Sequence, residues 1–380
     1  MRSCTSFTLD SSATEQTKTS VIDLTTNRND GKETDNDEFS FDDIETIRQK
    51  EAKKYTSDID IEVDREDTYD QLIEEYKKRL TVSSIVSITF LNESGVGDGV
   101  TKDAYTEFFH QWYQRLEGFS QKIPASKSDN DDDELELVGK IITHAFILYG
   151  VFPLQLCKCS IKYNLFGTVD KEDVIESFLQ FVPTKESEML RDFKLYGKEP
   201  EDSQALSDIW TDLSVTRKPS KDNITDLIYQ AGKEALIRKP HFSLQSVARG
   251  MGQFWLKTGP VMLDAIYSNL TPTPAKLIQC LDYNETTAHE GKLITWLCRF
   301  IRCCTDEELK RFLRLVTGSE VLSPKARIKV IFVDLSRDYI RPQSKTCFRI
   351  LYFARQYTSF TDVQGNFLKY MKSGSFSLFD

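Results

Sequence analysis

The chain has 380 residues, of which 39% are hydrophobic and 11% aromatic, and its formal net charge is −10. This length allows two domains, or one large domain with a tail, and the apolar content is sufficient to fill a substantial core. The negative charge and the scattered Lys and Arg residues argue against a nucleic-acid-binding protein, because such proteins cluster cations that neutralise phosphates.

The eight cysteines follow no secretory pattern. The first residues lack the apolar core of a signal peptide, and no apolar run approaches the ~18 residues of a membrane span. We therefore expect free thiols in a reducing compartment, which means the cytoplasm, the nucleus or both. Cys157 and Cys159, like Cys303 and Cys304, lack the spacing and the His partners of a tetrahedral zinc site, so no metal or other cofactor is expected.

Residues 1–57 are predicted to form a disordered acidic tail. They are rich in Ser, Thr, Asp, Asn and Glu and poor in large apolar residues, so they cannot bury enough surface to offset the entropy lost on ordering. One apolar cluster, VIDLT at 21–25, interrupts this composition, and five acidic residues follow it between positions 30 and 38.

From residue 58 the pattern becomes that of a globular protein. Alternation predicts strands at IDIEVDRE and at SIVSITF, the latter with Val86, Ile88 and Phe90 on one face, and a helix is predicted at DTYDQLIEEYKKRL. A glycine-rich turn, NESGVGDGV, precedes another predicted helix, TKDAYTEFFHQWYQRL. Because the turn lacks the final Gly-Lys-Ser/Thr of a phosphate-binding loop, a nucleotide site is disfavoured.

The middle of the chain is predicted to be mostly helical. SKSDNDDDE is a predicted surface loop, LELVGKIITHAFILYGVFP a predicted helix, and residues 183–250 have a mixed, mostly helical pattern. TPTP at 271–274 is a strong break, because Pro272 and Pro274 cannot lie inside a helix and push the preceding residue towards an extended conformation. We therefore place an interdomain hinge at 271–274.

The C-terminal segment contains a helical pair and two strands. After the apolar helix GKLITWLCRFIRC, Thr305 and Glu308 match a capping box at the start of the next helix, which Gly318 ends. ARIKVIFVDL and TCFRILYF are predicted strands. Cys347 therefore lies where the loop RPQSKT enters a strand, and functional groups concentrate at such loop edges.

The order of these motifs resembles that of a known family. FLRLVTGSEVLSP, IRPQSKTCFRIL and the terminal SFSLFD resemble the C-terminal lobe of HECT ubiquitin ligases. That lobe carries a Phe-x-Thr-Gly helix end, a Pro-x-x-His-Thr-Cys-Phe loop with the catalytic cysteine, and a Phe near the chain end. Upstream, ITFLNESGVGDGVTKDAYTEFF and LVGKIITHAFILYGVFPLQL are similar to the glycine-rich turn and the Leu-x-Gly helix of that family. The resemblance covers roughly residues 58–380 and is closest to a divergent subgroup described as cell-cycle-phase-specific ubiquitin ligases.

The resemblance implies an α+β fold with two lobes joined by the hinge. The N-lobe, mainly helical, is expected at 58–270, and the smaller α/β C-lobe at 275–380. Cys347 would then accept ubiquitin as a thioester from a conjugating enzyme and pass it to lysines of protein substrates. Ubiquitin, the conjugating enzyme and substrates are thus the implied partners, and neither nucleic acid nor a membrane is expected.

Three residues are candidates to support the cysteine: Lys345, Thr346 and Phe376, although Phe379 also qualifies as the terminal Phe of the family. A positive charge at Lys345 would favour the reactive thiolate. The chain departs from the family at two of these motifs, because Lys345 stands where His is usual and Gly99-Val100 where Gly-Gly is usual. The aromatic surface that binds the conjugating enzyme is also not recognisable within 183–250.

The tail cluster at 21–25 resembles a SUMO-interacting motif formed by Val21, Ile22, Asp23 and Leu24. Such a motif adds a strand to the edge of the SUMO sheet, and acidic residues after it would meet a basic rim. A chance apolar cluster in a disordered tail would look the same, because short motifs have many false positives.

Alternatives to an active ligase stay open from the sequence alone. One is a catalytically weak or inactive HECT-like binding module recruited to SUMO conjugates. Another is a cysteine isopeptidase, which needs a His close to the thiol in the fold. Cys347 is, in the simplest alternative, a buried core thiol, and Cys298, Cys303 and Cys304 are expected to be packing residues.

Overall fold

The structure is a computed structural model. It describes residues 40–78, 81–125, 132–197, 210–211, 217, 219–323, 327–335 and 340–372.

The described chain before residue 271 is mainly helical, with two short pairs of strands. Its elements are α1 (Phe41–Ala52), β1 (Asp58–Val63), α2 (Thr68–Lys77), β2 (Ile85–Phe90), α3 (Asp98–Tyr113), β3 (Leu116–Glu117), β4 (Ile123–Pro124), α4 (Asp132–Tyr149), α5 (Lys158–Phe166), α6 (Lys171–Phe181), α7 (Thr184–Tyr196), α8 (Ile224–Lys233), α9 (His241–Met251) and α10 (Gln253–Leu270).

After residue 271 helices alternate with the strands of one small sheet. Its elements are α11 (Pro274–Cys280), β5 (Leu281–Tyr283), α12 (Ala288–Cys303), α13 (Asp306–Thr317), β6 (Ile328–Val333), β7 (Gln343–Lys345), a 3-10 turn (Thr346–Phe348), β8 (Ile350–Ala354) and α14 (Phe360–Lys372). The strand order is β5-β6-β8-β7, with β7 antiparallel to β8 and the other pairs parallel. The α+β class that the resemblance implied is confirmed.

Three hydrophobic cores hold these elements together. The first combines α1 to α4 with α9 and α10, and the predicted apolar face of β2 contributes Val86, Ile88 and Phe90 to it. The second lies among α6, α7 and α8. The third begins at Leu277 and fills the space between α11–α14 and the four-stranded sheet. Each element is thus stabilised mainly by the apolar face that it buries.

Helix α1 corrects the prediction of a disordered tail up to residue 57. The prediction is wrong for residues 41–52, which form a helix. Ser40 caps it, because its hydroxyl accepts from the backbone nitrogen of Asp43, whose carboxylate accepts from the nitrogen of Ser40 in return. Ile44 is fully buried in the first core. The average composition of residues 1–57 is polar, and it does not reveal one short helix that has a local cap and an apolar contact.

The segment 271–274 interrupts the helical structure between α10 and α11, as expected from its prolines. Helix α10 ends before Thr271, and the hydroxyl of Thr273 caps α11 by accepting from the nitrogen of Lys276. Pro274 is the first residue of α11, where the missing N–H costs nothing. A hinge function for 271–274 and a division into two lobes at this point stay predictions.

Helix α10 also contains an interruption that the sequence analysis missed. Gly259 has φ 80° and ψ 173°, outside the helical region, and Pro260 follows it. Among the described residues, no helix has both the length and the apolar character needed to cross a bilayer.

Candidate functional site

Cys347 lies at the tip of a tight reversal between β7 and β8. The 3-10 turn Thr346–Phe348, which we call the Cys347 turn, connects the two strands, and Lys345 pairs with Ile350 in the antiparallel register. Arg349 closes the turn in the left-handed region with φ 52°, and its nitrogen donates to the carbonyl of Thr346 at 3.1 Å. The strand predicted over TCFRILYF is therefore wrong for residues 346–349 and correct from Ile350.

The turn exposes the thiol and buries the residue before it. Cys347 is exposed and Phe348 is 73% exposed, whereas Thr346 is only 6% exposed. The alternative of a buried core thiol is therefore wrong for Cys347. Because the side chain of Thr346 is buried, it fixes the position of the turn. The exposed Cys347 therefore follows a packed residue instead of lying in a free loop.

The thiol contacts the glycine-rich turn before α3. The Sγ of Cys347 donates a hydrogen bond to the carbonyl oxygen of Val96 at 3.3 Å. A Cβ at Gly97 would be 3.2 Å from this Sγ, and Gly97 has φ 100°, which favours glycine. A Cβ at Gly99 would be 2.8 Å from the nitrogen of Cys347. The glycines therefore allow a close approach of the Cys347 turn to the start of α3, which the sequence analysis did not foresee.

Helix α13 supports the turn from a second side. The hydroxyl of Ser344 donates to the carbonyl of Leu315 at 2.5 Å. Gly318, which ends α13 with φ 75°, lies against the backbone of Gly99, and its carbonyl accepts from the hydroxyl of Thr106 at 3.2 Å. The Cys347 turn thus sits where the ends of α3 and α13 meet.

A buried arginine connects these two helices. Arg314 of α13 is 8% exposed and pairs with Asp103 at 2.6 Å and with Glu107 at 2.6 Å, both on α3. Arg65 extends the network, because it pairs with Asp103 and with Glu93, each at 2.7 Å. Separating α3 from α13 would leave the buried charge of Arg314 uncompensated, so the network stabilises their contact against separation.

Lys102 is a residue of the site that the sequence analysis missed. Burial, followed by the nearby positive charge of Arg349, lowers the pKa of its ammonium to about 8, although Asp98 and Cys347 act in the opposite direction. The Gly99-x-x-Lys102 spacing, which puts both residues on one helical face, was the signal that could have found it.

Only some of the other predicted site residues lie in the described part of the chain. Lys345 is exposed in β7, two residues before the thiol, and Thr346 is the buried anchor described above. Phe376 and the SUMO-motif residues at 21–24 lie outside the described residues. The structure therefore brings together Cys347, Thr346 and Lys345 and leaves the remaining predictions as they were.

The other described cysteines differ from Cys347. Cys157 and Cys159 are buried, and Cys298 and Cys304 are half-buried. Burial raises the pKa of Cys304 to about 12, which disfavours its thiolate at neutral pH. Cys303 is exposed, so its prediction as a packing residue is wrong. It is the last residue of α12, where the apolar face of that helix has ended.

The four histidines all have other neighbours than the thiol. They are Glu320 for His110, Tyr76 and Ser84 for His144, Phe242 for His241, and Arg355 for His289. Within the described part of the chain, no histidine is hydrogen-bonded to Cys347, which is the contact that an isopeptidase would need. The same residues contain no group of three or more His, Cys, Asp or Glu side chains able to hold a metal ion.

Comparison with known proteins identifies the C-terminal part of the chain. Residues 263–378 match the family model HECT, described as HECT-domain (ubiquitin-transferase). The match begins within α10 and contains the third core and the Cys347 turn. No curated protein matches the chain. For residues 263–378 the match confirms the family that the motifs suggested, and the subgroup stays a prediction.

Proposed function

Residues 263–378 belong to the HECT ubiquitin-transferase family, and we propose that the chain is a ubiquitin ligase whose Cys347 carries ubiquitin as a thioester. The observation that carries this proposal is the exposed thiol of Cys347 at the tip of a supported turn. Cys303, the other exposed cysteine among those described, ends a helix and has no comparable support.

The chemistry has two steps that need placement more than driving force. The Cys347 thiolate attacks the carbonyl carbon of the ubiquitin thioester on the conjugating enzyme, and the thiolate of that enzyme leaves. A substrate lysine amine then attacks the new thioester, its proton passes to solvent, and the Cys347 thiolate leaves. The free-energy change for exchange of one thioester for another is close to zero. A fixed and accessible thiol therefore accelerates the reaction mainly by placing the reacting atoms close together.

We propose the hinge at 271–274 as the joint between an N-lobe at 58–270 and a C-lobe at 275–380. Its support is the helix break at Thr271–Thr273 and the start of the third core at Leu277. Such a joint would let Cys347 travel between the conjugating enzyme and the substrate lysine.

For the conjugating enzyme we propose a docking surface at the end of α7. Leu195 is 67% and Tyr196 is 72% exposed there, and adjacent large apolar side chains on a surface are typical of protein interaction sites. Both lie inside the segment 183–250, where the sequence motifs alone did not reveal a docking surface.

A second candidate is a HECT-like binding module without activity. Its support is the tail motif Val21, Ile22, Asp23 and Leu24, which would add a strand to SUMO and recruit the chain to SUMO conjugates. An active ligase and SUMO binding are compatible, so the two candidates differ only at Cys347. For either one we propose a cytoplasmic or nuclear location, in line with the free thiols of the described cysteines.

A thioester assay tests the proposal. The full chain is mixed with conjugating enzymes charged with ubiquitin and is resolved without reductant. We expect a ubiquitin adduct that reductant removes, that Cys347→Ala abolishes and that the matched variant Cys303→Ala retains. Cys347→Ser should give an adduct resistant to reductant, because an ester replaces the thioester. An adduct that persists in Cys347→Ala would contradict the assignment, and no adduct with any conjugating enzyme would favour the binding module.

A further inference from the structure

Lys102 lies on the face of α3 that touches the Cys347 turn. Gly99 and Lys102 are three residues apart and therefore share one face of the helix. The Cα of Gly99 faces Thr346 and the nitrogen of Cys347. Because helical side chains lean towards the N-terminus of their helix, the side chain of Lys102 is directed back to the start of α3, where the Sγ of Cys347 lies.

The charges around the Lys102 ammonium come from three elements. Asp98 belongs to α3, Cys347 and Arg349 to the turn region, and Arg48 to α1. Among the described residues, no carboxylate lies within ion-pair distance of this ammonium. The positive charge of Lys102 is therefore not neutralised by a direct partner and stays free to act on the thiol.

Arg48, the α1 residue whose charge acts on Lys102, already has an ion-pair partner and two hydrogen-bond partners. Arg48 pairs with Glu45 at 2.7 Å and donates to the carbonyls of Ile147 at 2.7 Å and Leu148 at 2.9 Å. Glu45 also interacts with Arg349 across the gap to the turn. Glu45 thus acts on both arginines near Lys102, whereas Asp98 acts on Lys102 without forming an ion pair with it.

We propose that Lys102 is a positioning residue on α3 that stabilises the thiolate of Cys347 across the contact between α3 and the Cys347 turn. This deepens the proposed function and rests on it, because it takes Cys347 as the nucleophile. When the thiol ionises, its proton passes to solvent and the hydrogen bond to Val96 is lost. The ammonium of Lys102 and the partial positive charge at the N-terminus of the sixteen-residue helix α3 then stabilise the anion.

The pH dependence follows from the charge on Lys102. Burial lowers the pKa of Lys102 to about 8, so the side chain is cationic at pH 7 and becomes neutral as the pH rises through about 8. Its assistance to the thiolate is therefore present at neutral pH and lost in alkaline solution. An arginine at this position keeps its charge throughout and retains the assistance.

The test measures thiolate formation without ubiquitin. The full chain is treated with iodoacetamide from pH 6 to 9.5, and alkylation of each cysteine is followed by peptide mass spectrometry. Cys303, exposed in the same molecule, is the internal reference. The variants are Lys102→Met, Lys102→Arg and, as a matched control, Lys292→Met, which removes an exposed lysine from α12.

We expect Lys102→Met to move the midpoint of the Cys347 profile upwards by about one pH unit. At pH 7 the thiolate is then about tenfold rarer but about threefold more nucleophilic, so alkylation slows about threefold. Lys102→Arg should restore the wild-type rate at pH 7, and Lys292→Met should leave it unchanged. Alkylation of Cys303 should be the same in all four proteins.

An unchanged Cys347 profile in Lys102→Met overturns the proposal. So does a Lys102→Arg profile that equals that of Lys102→Met, because the charge would then be irrelevant. If alkylation of Cys303 also changes, Lys102→Met has disturbed the fold. The proposal is then judged by Lys102→Arg, which must restore the wild-type alkylation rate of Cys347 at pH 7. A chain that shows the Lys102 effect but forms no ubiquitin adduct supports the thiolate inference and refutes the ligase proposal, so the two failures are distinct.

Discussion

The thiol of Cys347 donates a hydrogen bond to the carbonyl oxygen of Val96 at 3.3 Å, across 251 residues of sequence. This contact joins a cysteine of the C-terminal sheet to the glycine-rich turn before α3. The thiol of Cys347 is therefore hydrogen-bonded to backbone of the glycine-rich turn that precedes α3.

Gly99→Ala should displace the Cys347 turn. The added Cβ would be 2.8 Å from the nitrogen of Cys347 and even closer to the Thr346 hydroxyl, so one of the two segments must move. We expect a loss of about 1–3 kcal/mol in the free energy of unfolding, measured in urea, and slower thioester formation.

Gly365→Ala is the matched control for this change. Gly365 lies on α14, and a Cβ there would have no neighbour within 4 Å. Alanine is also the better helix former, so the control should be neutral or stabilising by about 0.5–1 kcal/mol. Equal stability of both variants would contradict the close approach of α3 to the turn.

Arg314→Met should destabilise the junction between α3 and α13. The substitution leaves Asp103 and Glu107 with one cation fewer in a buried site, which typically costs about 3–5 kcal/mol. Chemical denaturation measures the loss. Arg311→Met, on the exposed face of the same helix, should change stability by less than about 0.5 kcal/mol. A result for Arg314→Met no larger than this control would show that the network contributes nothing.

His144 should make the protein less stable in acid. It is 2% exposed, its Nδ1 is 2.5 Å from the Tyr76 hydroxyl and its Nε2 is 2.8 Å from the carbonyl of Ser84. Burial lowers the pKa of His144 to about 4 from 6.5, so the unfolded chain takes up the proton first as the pH falls. The contribution is complete above about pH 6.5 and is lost progressively towards pH 4, by up to about 3 kcal/mol.

Urea denaturation of His144→Gln at pH 7, 5 and 4 measures this contribution. The variant should show a shallower decline of stability between pH 6.5 and 4 than the wild-type chain, whatever its absolute stability. His289→Gln, an exposed histidine of α12, serves as the control and should decline like the wild type. Parallel declines in all three proteins would refute a role for His144.

The double change Leu195→Ala and Tyr196→Ala should weaken docking of the conjugating enzyme. The two exposed side chains lie on α7, so their truncation should slow ubiquitin loading without slowing alkylation of Cys347. A rate loss of at least about tenfold corresponds to the removal of about 1.4 kcal/mol of binding energy. Leu256→Ala, a 47% exposed leucine of α10, is the control. Loading at the wild-type rate would place the docking surface elsewhere.

Features encoded within a few residues were predicted correctly. The hydroxyl of Thr305 accepts from the nitrogen of Glu308 at 3.3 Å, and the carboxylate of Glu308 accepts from the nitrogen of Thr305 at 2.9 Å. Gly318 ends α13 in the left-handed conformation. The capping box and the glycine cap each depend on atoms that are only three or four residues apart, so both can be predicted from the local sequence.

Errors arose where distant residues determine the local conformation. Apolar alternation in TCFRILYF suggested one continuous strand, but the reversal from β7 to β8 forces Arg349 into a left-handed conformation. A non-glycine residue accepts this at a cost of about 1–2 kcal/mol only when its surroundings stabilise it. Helix α1 was missed although Ser40 and Asp43 form a local cap, because the packing of Ile44 in the first core is not visible in the polar composition of this segment.

The sequence by itself determined the helices and strands with local signals, the C-terminal HECT motifs and Cys347 as the residue to test. Only the tertiary structure decided that this cysteine is exposed and that its thiol lies against Val96, just before the helix α3 that contains Lys102. Arg314 pairs with Asp103 across 211 residues in the same way. Such contacts leave no periodic or local trace in a sequence, because they join elements that are far apart in the chain and meet only through tertiary packing.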